Sequence, residues 1–204
     1  MADYCTVTEV KTLAVESGLN VVFDYDSMLA TVITSASRAI DREIGKPANY
    51  FYPSTDATVR YFDGNGGVRL GIDDAVSISA VAVSESGGLS SSDYTAWSSS
   101  DYITSPYNET PISELIVDTL NGSKLYWYPY RKAVKVTAFF GYSLTPPADV
   151  SMACKMQAIR WFMKSKQMFA QTGSGEQGAI NLTDLDPEIA GLLWAYKLRG
   201  AGDE

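Results

Sequence analysis

The chain has 204 residues, 46% hydrophobic and 20% charged, with a net charge of −8, two cysteines and no histidine. That is enough apolar material for a folded core, and no apolar run approaches the ~18 residues of a membrane span. The absence of histidine excludes Ser-His-Asp and Cys-His nucleophiles, histidine metal sites and the usual pH switch.

Cys5 and Cys154 lie far apart in sequence and so form no zinc-ribbon pattern, and two cysteines make no disulfide framework. Cys154 sits in an apolar helical pattern and reads as a small core residue. The start, MADYCTVTEVK, has no basic n-region and no apolar h-region, which predicts a protein made and used in a cytoplasm. The charge is uneven: residues 1–120 sum to −11 and residues 121–204 to +3. Eight Lys and Arg lie between Lys124 and Lys166, against Asp149 alone. A dominant basic face for nucleic acid is missing from the chain as a whole, and an acidic part followed by a basic part suits head-to-tail packing of identical subunits.

In chain order, a short helix over residues 6–17 opens with Thr6-Val7-Thr8-Glu9, a capping box with Thr6 as N-cap, and stops at Gly18. Residues 24–45 read as a long helix. Tyr25, Leu29, Val32, Ile33, Ala36, Ile40 and Ile44 form its apolar stripe, Asp24 is its expected N-cap, and Gly45 and Pro47 end it. About twenty residues at ~1.5 Å each make a rod of roughly 30 Å. An aromatic cluster, Tyr50-Phe51-Tyr52, leads to Pro53.

The period then changes. Thr58–Phe62 and Val68–Leu70 read as a hairpin around Asp63-Gly64-Asn65-Gly66-Gly67. The glycines lack the following helix and Lys-Ser/Thr pair of a phosphate loop. Asp73-Asp74 is expected in a turn, where turn chemistry is favoured over catalysis. Residues 75–85 alternate, with Val76, Ile78, Ala80 and Ala82 on one face and Ser77, Ser79, Val81 and Val83 on the other. Residues 84–100 are Ser/Gly-rich and read as a long loop anchored by Tyr94 and Trp97, which either dock on a neighbouring subunit or fold back. Short strands follow at Tyr102–Thr104 and Leu115–Val117, then an extended aromatic stretch at Leu125–Tyr130 and a last strand over residues 133–142.

Pro146-Pro147 precedes a second long helix, residues 148–171. Met152, Met156, Ile159 and Met163 form its stripe, widened by Cys154, Ala158, Trp161 and Phe162. Its cover is expected partly from the residue 24–45 helix and partly from another chain. A glycine-rich linker over 173–178 leads to a final helix started by Asp186-Pro187, with Ile189, Leu192, Leu193 and Tyr196 apolar and Trp194 beside them. A tethered amphipathic helix of this kind either inserts into a partner's groove or packs on its own domain. The fold expected is therefore α+β: antiparallel helices, one short and two long, with an antiparallel β domain inserted at 58–142 and a tethered C-terminal helix. Residues 1–172 form the main domain, and 173–204 the linker and docking segment.

In this order the segments resemble the head–tail connector (adaptor) proteins of tailed bacteriophages, which form the ring below the portal. Thr8-Glu9-Val10-Lys11 through Leu13 is similar to that family's opening helix. Ala36-Ser37-Arg38-Ala39-Ile40-Asp41-Arg42-Glu43-Ile44-Gly45 is similar to its helix ending in A-x-x-x-I-x-x-x-x-G, and Arg60-Tyr61-Phe62-Asp63-Gly64 to its strand ending in a Y-x-D-G turn. Thr137–Tyr142 followed by Pro146–Val150 matches its strand, G-Y, proline and helix order. Asp186-Pro187-Glu188-Ile189 with Leu192, Leu193 and Tyr196 looks like its C-terminal segment. Residues 84–130 depart from the pattern, being longer and richer in serine.

The resemblance implies a virion structural protein without catalysis or cofactor, located at the neck and in the host cytoplasm during assembly. Its partners are the portal protein, a head-closure or tail protein below, its own copies in a ring of twelve, and genomic DNA passing through the lumen without specific binding; no membrane is involved. Portal docking is expected from Ile189, Leu192, Leu193, Trp194, Tyr196, Lys197 and Arg199. Ring contacts are expected at Arg38, Arg42, Lys155, Arg160 and Lys164 on the long helices and at Tyr94 and Trp97 in the loop. The alternatives are another neck component, such as a head-closure or tail-completion protein; a nucleic-acid module built on Lys124, Arg131, Lys132, Lys135 and the interleaved Tyr126, Trp127, Tyr128 and Tyr130; and a hydrolase using Asp73, Asp74 and Asp118.

Overall fold

The computed structural model describes residues 3–19, 25–52, 56–170 and 185–197, without the side chains of 167–170. The chain forms two compact units, Phe51–Leu144 and the remainder on either side of it. One is helical and the other an antiparallel sheet, so the fold is α+β.

In the helical unit, α1 (Val7–Glu16) begins with the expected capping box: the Glu9 N–H donates to Thr6 Oγ1, and the Thr6 N–H to the Glu9 carboxylate. The second helix, α2 (Asp26–Glu43), has Tyr25 at its cap position with no side-chain cap; Asp24 lies outside the described residues. Tyr25 is exposed rather than part of the stripe, and its ring lies under Lys166 Nζ. The helix ends where the sequence says it must. The Gly45 N–H donates to Arg42 O and the Lys46 N–H to Asp41 O, with Gly45 at φ +71°. Those two bonds satisfy the last carbonyls, and the left-handed turn that makes them favours glycine. Leu29, Ile33 and Ile40 are fully buried, each contributing about 1.5–3 kcal/mol.

The third helix, α3 (Ala148–Ala170), is buried through the residues expected to widen its stripe, not through the methionine stripe itself. Ala153, Cys154, Gln157, Ala158 and Trp161 are inside. Met152, Met156, Ile159 and Met163 lie on the opposite side, the first exposed and the others half-buried. Small side chains explain the choice: they let α3 approach α2 closely enough for Cys154 Sγ to sit 3.4 Å from Ser37 Oγ.

The sheet has strand order β1 (Thr58–Phe62), β6 (Val134–Phe140), β2 (Arg69–Ser84), β5 (Ile112–Val117), β4 (Tyr102–Ser105), all neighbours antiparallel, with β3 (Tyr94–Ala96) also pairing β2. β1 and β2 are thus not a hairpin, because β6 lies between them. Asp73 and Asp74 sit inside the long β2, not in a turn, at an irregularity against β5. Against β6 the register of β2 shifts by one residue twice, between Ala75 and Ser77 and again between Ile78 and Ala80. Each shift exchanges the faces, so Ala75, Ile78, Val81 and Val83 stand opposite Phe140, Ala138, Val136 and Val134 on the core side, and Ile78 joins Val81 and Val83 where the alternation expected it on the other face.

The aromatic stretch at 125–130 is irregular rather than extended, and the glycine segment holds it in place. Gly64 N–H donates to Tyr130 O, Gly66 N–H to Trp127 O, and Trp127 N–H to Gly67 O. A Cβ on Gly64 would stand 1.7 Å from Tyr128 O, so only glycine fits there. The result is a fully buried Trp127, its indole N–H donating to Val68 O, stacked on Trp97 at 4.6 Å between ring centres.

Candidate interaction surfaces

The C-terminal segment is seated on its own unit. Helix α4 (Pro187–Leu192) starts at Asp186, whose carboxylate accepts the Glu188 N–H, with Pro187 in the first turn. Arg160 on α3 meets both acids, with Nη1 2.5 Å from Asp186 and Nη2 2.8 Å from Glu188. Asp186 N–H donates to the buried Gln157 at 3.2 Å, Tyr196 O–H donates to Asp149, and Lys197 pairs with Glu43. Ile189 and Leu193 are fully buried. In this structure these two side chains complete the core of their own unit, so the final helix packs on its own domain. Leu192, at 43% exposure, and Trp194, at 66%, face outward, as does Lys197. Arg199 lies outside the described residues, as does the linker before Leu185.

The expected ring-contact residues divide in the same way. Arg38 is committed internally. It pairs with Asp41 at 3.2 Å and donates to Asn49, while Tyr4 O–H and the Asn49 N–H also donate to Asp41. Burial pushes the Asp41 carboxyl above its ordinary value, and the Tyr4 hydroxyl and then Arg38 oppose the rise. Arg160 is held by α4. Arg42 and Lys164 are exposed and Lys155 half-buried. Between α2 and α3 lies a cleft of about 430 Å³, lined among others by Val32, Arg38, Arg42 and Trp161.

The Ser/Gly-rich stretch folds back on its own unit. Ser84 Oγ donates to Gly88 O, the Trp97 N–H to Val81 O, and the Tyr94 hydroxyl to Lys132 O. Trp97 keeps only 6% of its surface exposed, its indole taken up by the Trp127 stack. Tyr94 is half-buried beside Tyr61.

The basic aromatic set is divided, with Tyr126, Tyr130, Arg131 and Lys132 exposed. Lys124 pairs with Glu85 at 2.5 Å, the Lys132 N–H donates to Asp63, and the buried Trp127 has no face for a base. The candidate acids are occupied too: Asp73 pairs with Arg60 at 2.6 Å, and Asp118 accepts from Leu120 and Asn121 in a turn. Among the described residues no cluster of three or more His, Cys, Asp or Glu could hold a metal, and no helix is long and apolar enough to cross a membrane.

Asp101 was not anticipated from sequence. Its carboxylate accepts the Ser98 N–H at 2.8 Å, the Ser123 N–H at 2.8 Å and the Ser123 hydroxyl at 3.1 Å. These bonds, first the Ser123 amide, hold it below the usual carboxylate value. Asp149 and Gln157, which receive the C-terminal segment, were missed as well, because nothing local in sequence links them to residues 29 to 47 positions later.

No family model matches the chain, and no curated protein matches it. Among solved structures, a chain from the neck of an empty gene transfer agent (GTA) particle, computed with C6 symmetry, is similar over 95% of this chain and 91% of its own, at 13% identity and a TM-score of 0.51. A chain from the neck of the native particle, computed with C12 symmetry, covers 99% and 98% at 15% identity and 0.49. A chain from the virion of the native particle covers 95% and 91% at 16% and 0.48. The first of these shows a shared fold over nearly the whole chain.

Proposed function

We propose that this protein is a structural component of a phage-like neck, an adaptor that assembles as a ring against the portal. The observation that carries this reading is the fold shared along 95% of the chain with a component of a particle neck, together with the ordered motifs from α2 through α4. In this reading Leu192, Trp194 and Lys197 make the first contact with the portal. Ile189 and Leu193 follow if the segment leaves α3. Exposed Arg42 and Lys164, with Lys155, serve the ring contacts, and a head-closure or tail protein binds below.

Twelve copies at −8 each carry a formal charge of −96. A lumen lined by such charge lets DNA pass without adhering, because neutralising phosphates requires cations. The experiment is native mass spectrometry of the protein alone and mixed with the portal of its own particle, using the whole chain and a truncation ending at Gly178. Binding by the whole chain and not by the truncation supports docking through α4. Binding by both moves the docking site to the main body. Binding by neither overturns the neck reading.

A further inference from the structure

The only two cysteines of the chain meet in the helical core. Cys5 Sγ lies 3.3 Å from Cys154 Sγ, and both are free and buried. Cys5 sits in the N-terminal segment just ahead of the Thr6 cap, and Cys154 is on the α3 face that packs against α2. The segment is pinned there: Tyr4 N–H donates to Ser37 Oγ at 3.1 Å, and the Tyr4 hydroxyl to Asp41. The two sulfurs are therefore held in contact from both sides. A disulfide needs them at about 2.05 Å, an approach of little more than an ångström. The Cys5 S–H donated to Cys154 pulls the Cys154 thiol below its ordinary value, while the same bond, with burial, pushes Cys5 up. One sulfur of the pair is thus the more readily ionised, the condition thiol–disulfide exchange requires.

We propose that Cys5 and Cys154 are an intramolecular disulfide site, closed by a low-molecular-weight disulfide such as oxidised glutathione. The S–S bond of the oxidant breaks and the Cys5–Cys154 bond forms. The two thiol protons and two electrons leave on two molecules of reduced glutathione. The bond spans 149 positions and encloses Phe51–Leu144 entirely. It fastens the N-terminal part of the helical unit to α3 across the inserted sheet, so that a chain cut in the sheet unit no longer separates them.

The test treats the native whole chain with oxidised glutathione, blocks residual thiols with iodoacetamide in denaturant, and measures intact and peptide masses without reduction. The expected result is loss of two hydrogens, no alkylation, a Cys5–Cys154 cross-linked peptide, and a melting midpoint raised by about 10 °C over the reduced protein. Proteolytic fragments nicked within 51–144 stay joined until reduced. A Cys5→Ala variant, checked for native circular dichroism, forms no such link and keeps the lower midpoint. Two alkylatable thiols after treatment, stable glutathione adducts, or dimers linked between chains overturn the proposal.

Discussion

Replacing Ile189 by alanine tests how the C-terminal segment is held. Helices shorter than ~12–15 residues are marginal on their own, and α4 has six residues. Its docking therefore depends on two fully buried side chains, Ile189 and Leu193. The ion pairs to Arg160 and Lys197 are partly exposed and add about 0–1 kcal/mol each. Removing the Ile189 side chain to Cβ costs about 2–5 kcal/mol, so docking weakens by about 30-fold or more. Amide hydrogen exchange reads this directly. The Ala190, Leu193 and Tyr196 N–H groups bond to Asp186, Ala190 and Leu193 carbonyls, and their protection should fall by that factor while the Ile44 amide at the end of α2 stays within about threefold. Unchanged protection at these three amides refutes the reasoning. So does an equal loss at Ile44, which would make α4 part of the global unfolding unit.

Three further outcomes follow from the sheet unit. Asp101→Asn removes a charged acceptor of two backbone N–H groups and should cost about 2–3 kcal/mol at neutral pH in denaturant titrations. Because the folded carboxyl lies below its ordinary 3.8, that contribution is complete above the unfolded value and is lost as pH falls through the folded one; the gap between wild type and variant should therefore close in acid. Gly64→Ala sets a methyl against Tyr128 O and should destabilise the sheet unit by about 3 kcal/mol or more, read by thermal melting; a neutral result would mean the 127–130 segment can move away. A double-mutant cycle of Trp97→Phe and Trp127→Phe should give a coupling of about 1 kcal/mol from the stack, and additive losses would show the rings to be independent.

The parts legible in the sequence were those decided within a few residues. The Thr6–Glu9 box, the Gly45 stop and the Asp186-Pro187 start each depend on a local backbone bond, and each is present. What failed was decided at long range. β6 enters between β1 and β2 from some seventy positions downstream, and no local period announces it. The two β2 irregularities against β6 interrupt, around Ile78, an alternation that looks regular as text. On α3, hydropathy favours the methionines, while contact with α2 selects the smaller Ala153, Cys154 and Ala158. Ile189 and Leu193 were correctly picked as an apolar face, but the sequence left open which surface would cover it, and Arg160, Gln157 and Asp149 decide that.

Placing the sheet unit between α2 and α3 also orders events on the ribosome. Ile33 and Ile40 of α2 leave the exit tunnel well before Trp161 and Phe162, the far part of the same core. At ~5–20 residues per second the interval is on the order of 10 s. Residues 51–144 are a contact set of their own and leave the tunnel before α3 does, so the sheet is free to fold first, while the nascent α1 and α2 wait with an apolar face uncovered. That interval is when a chaperone would have most to bind, and slowing translation between residues 51 and 150 should lower the yield of native protein.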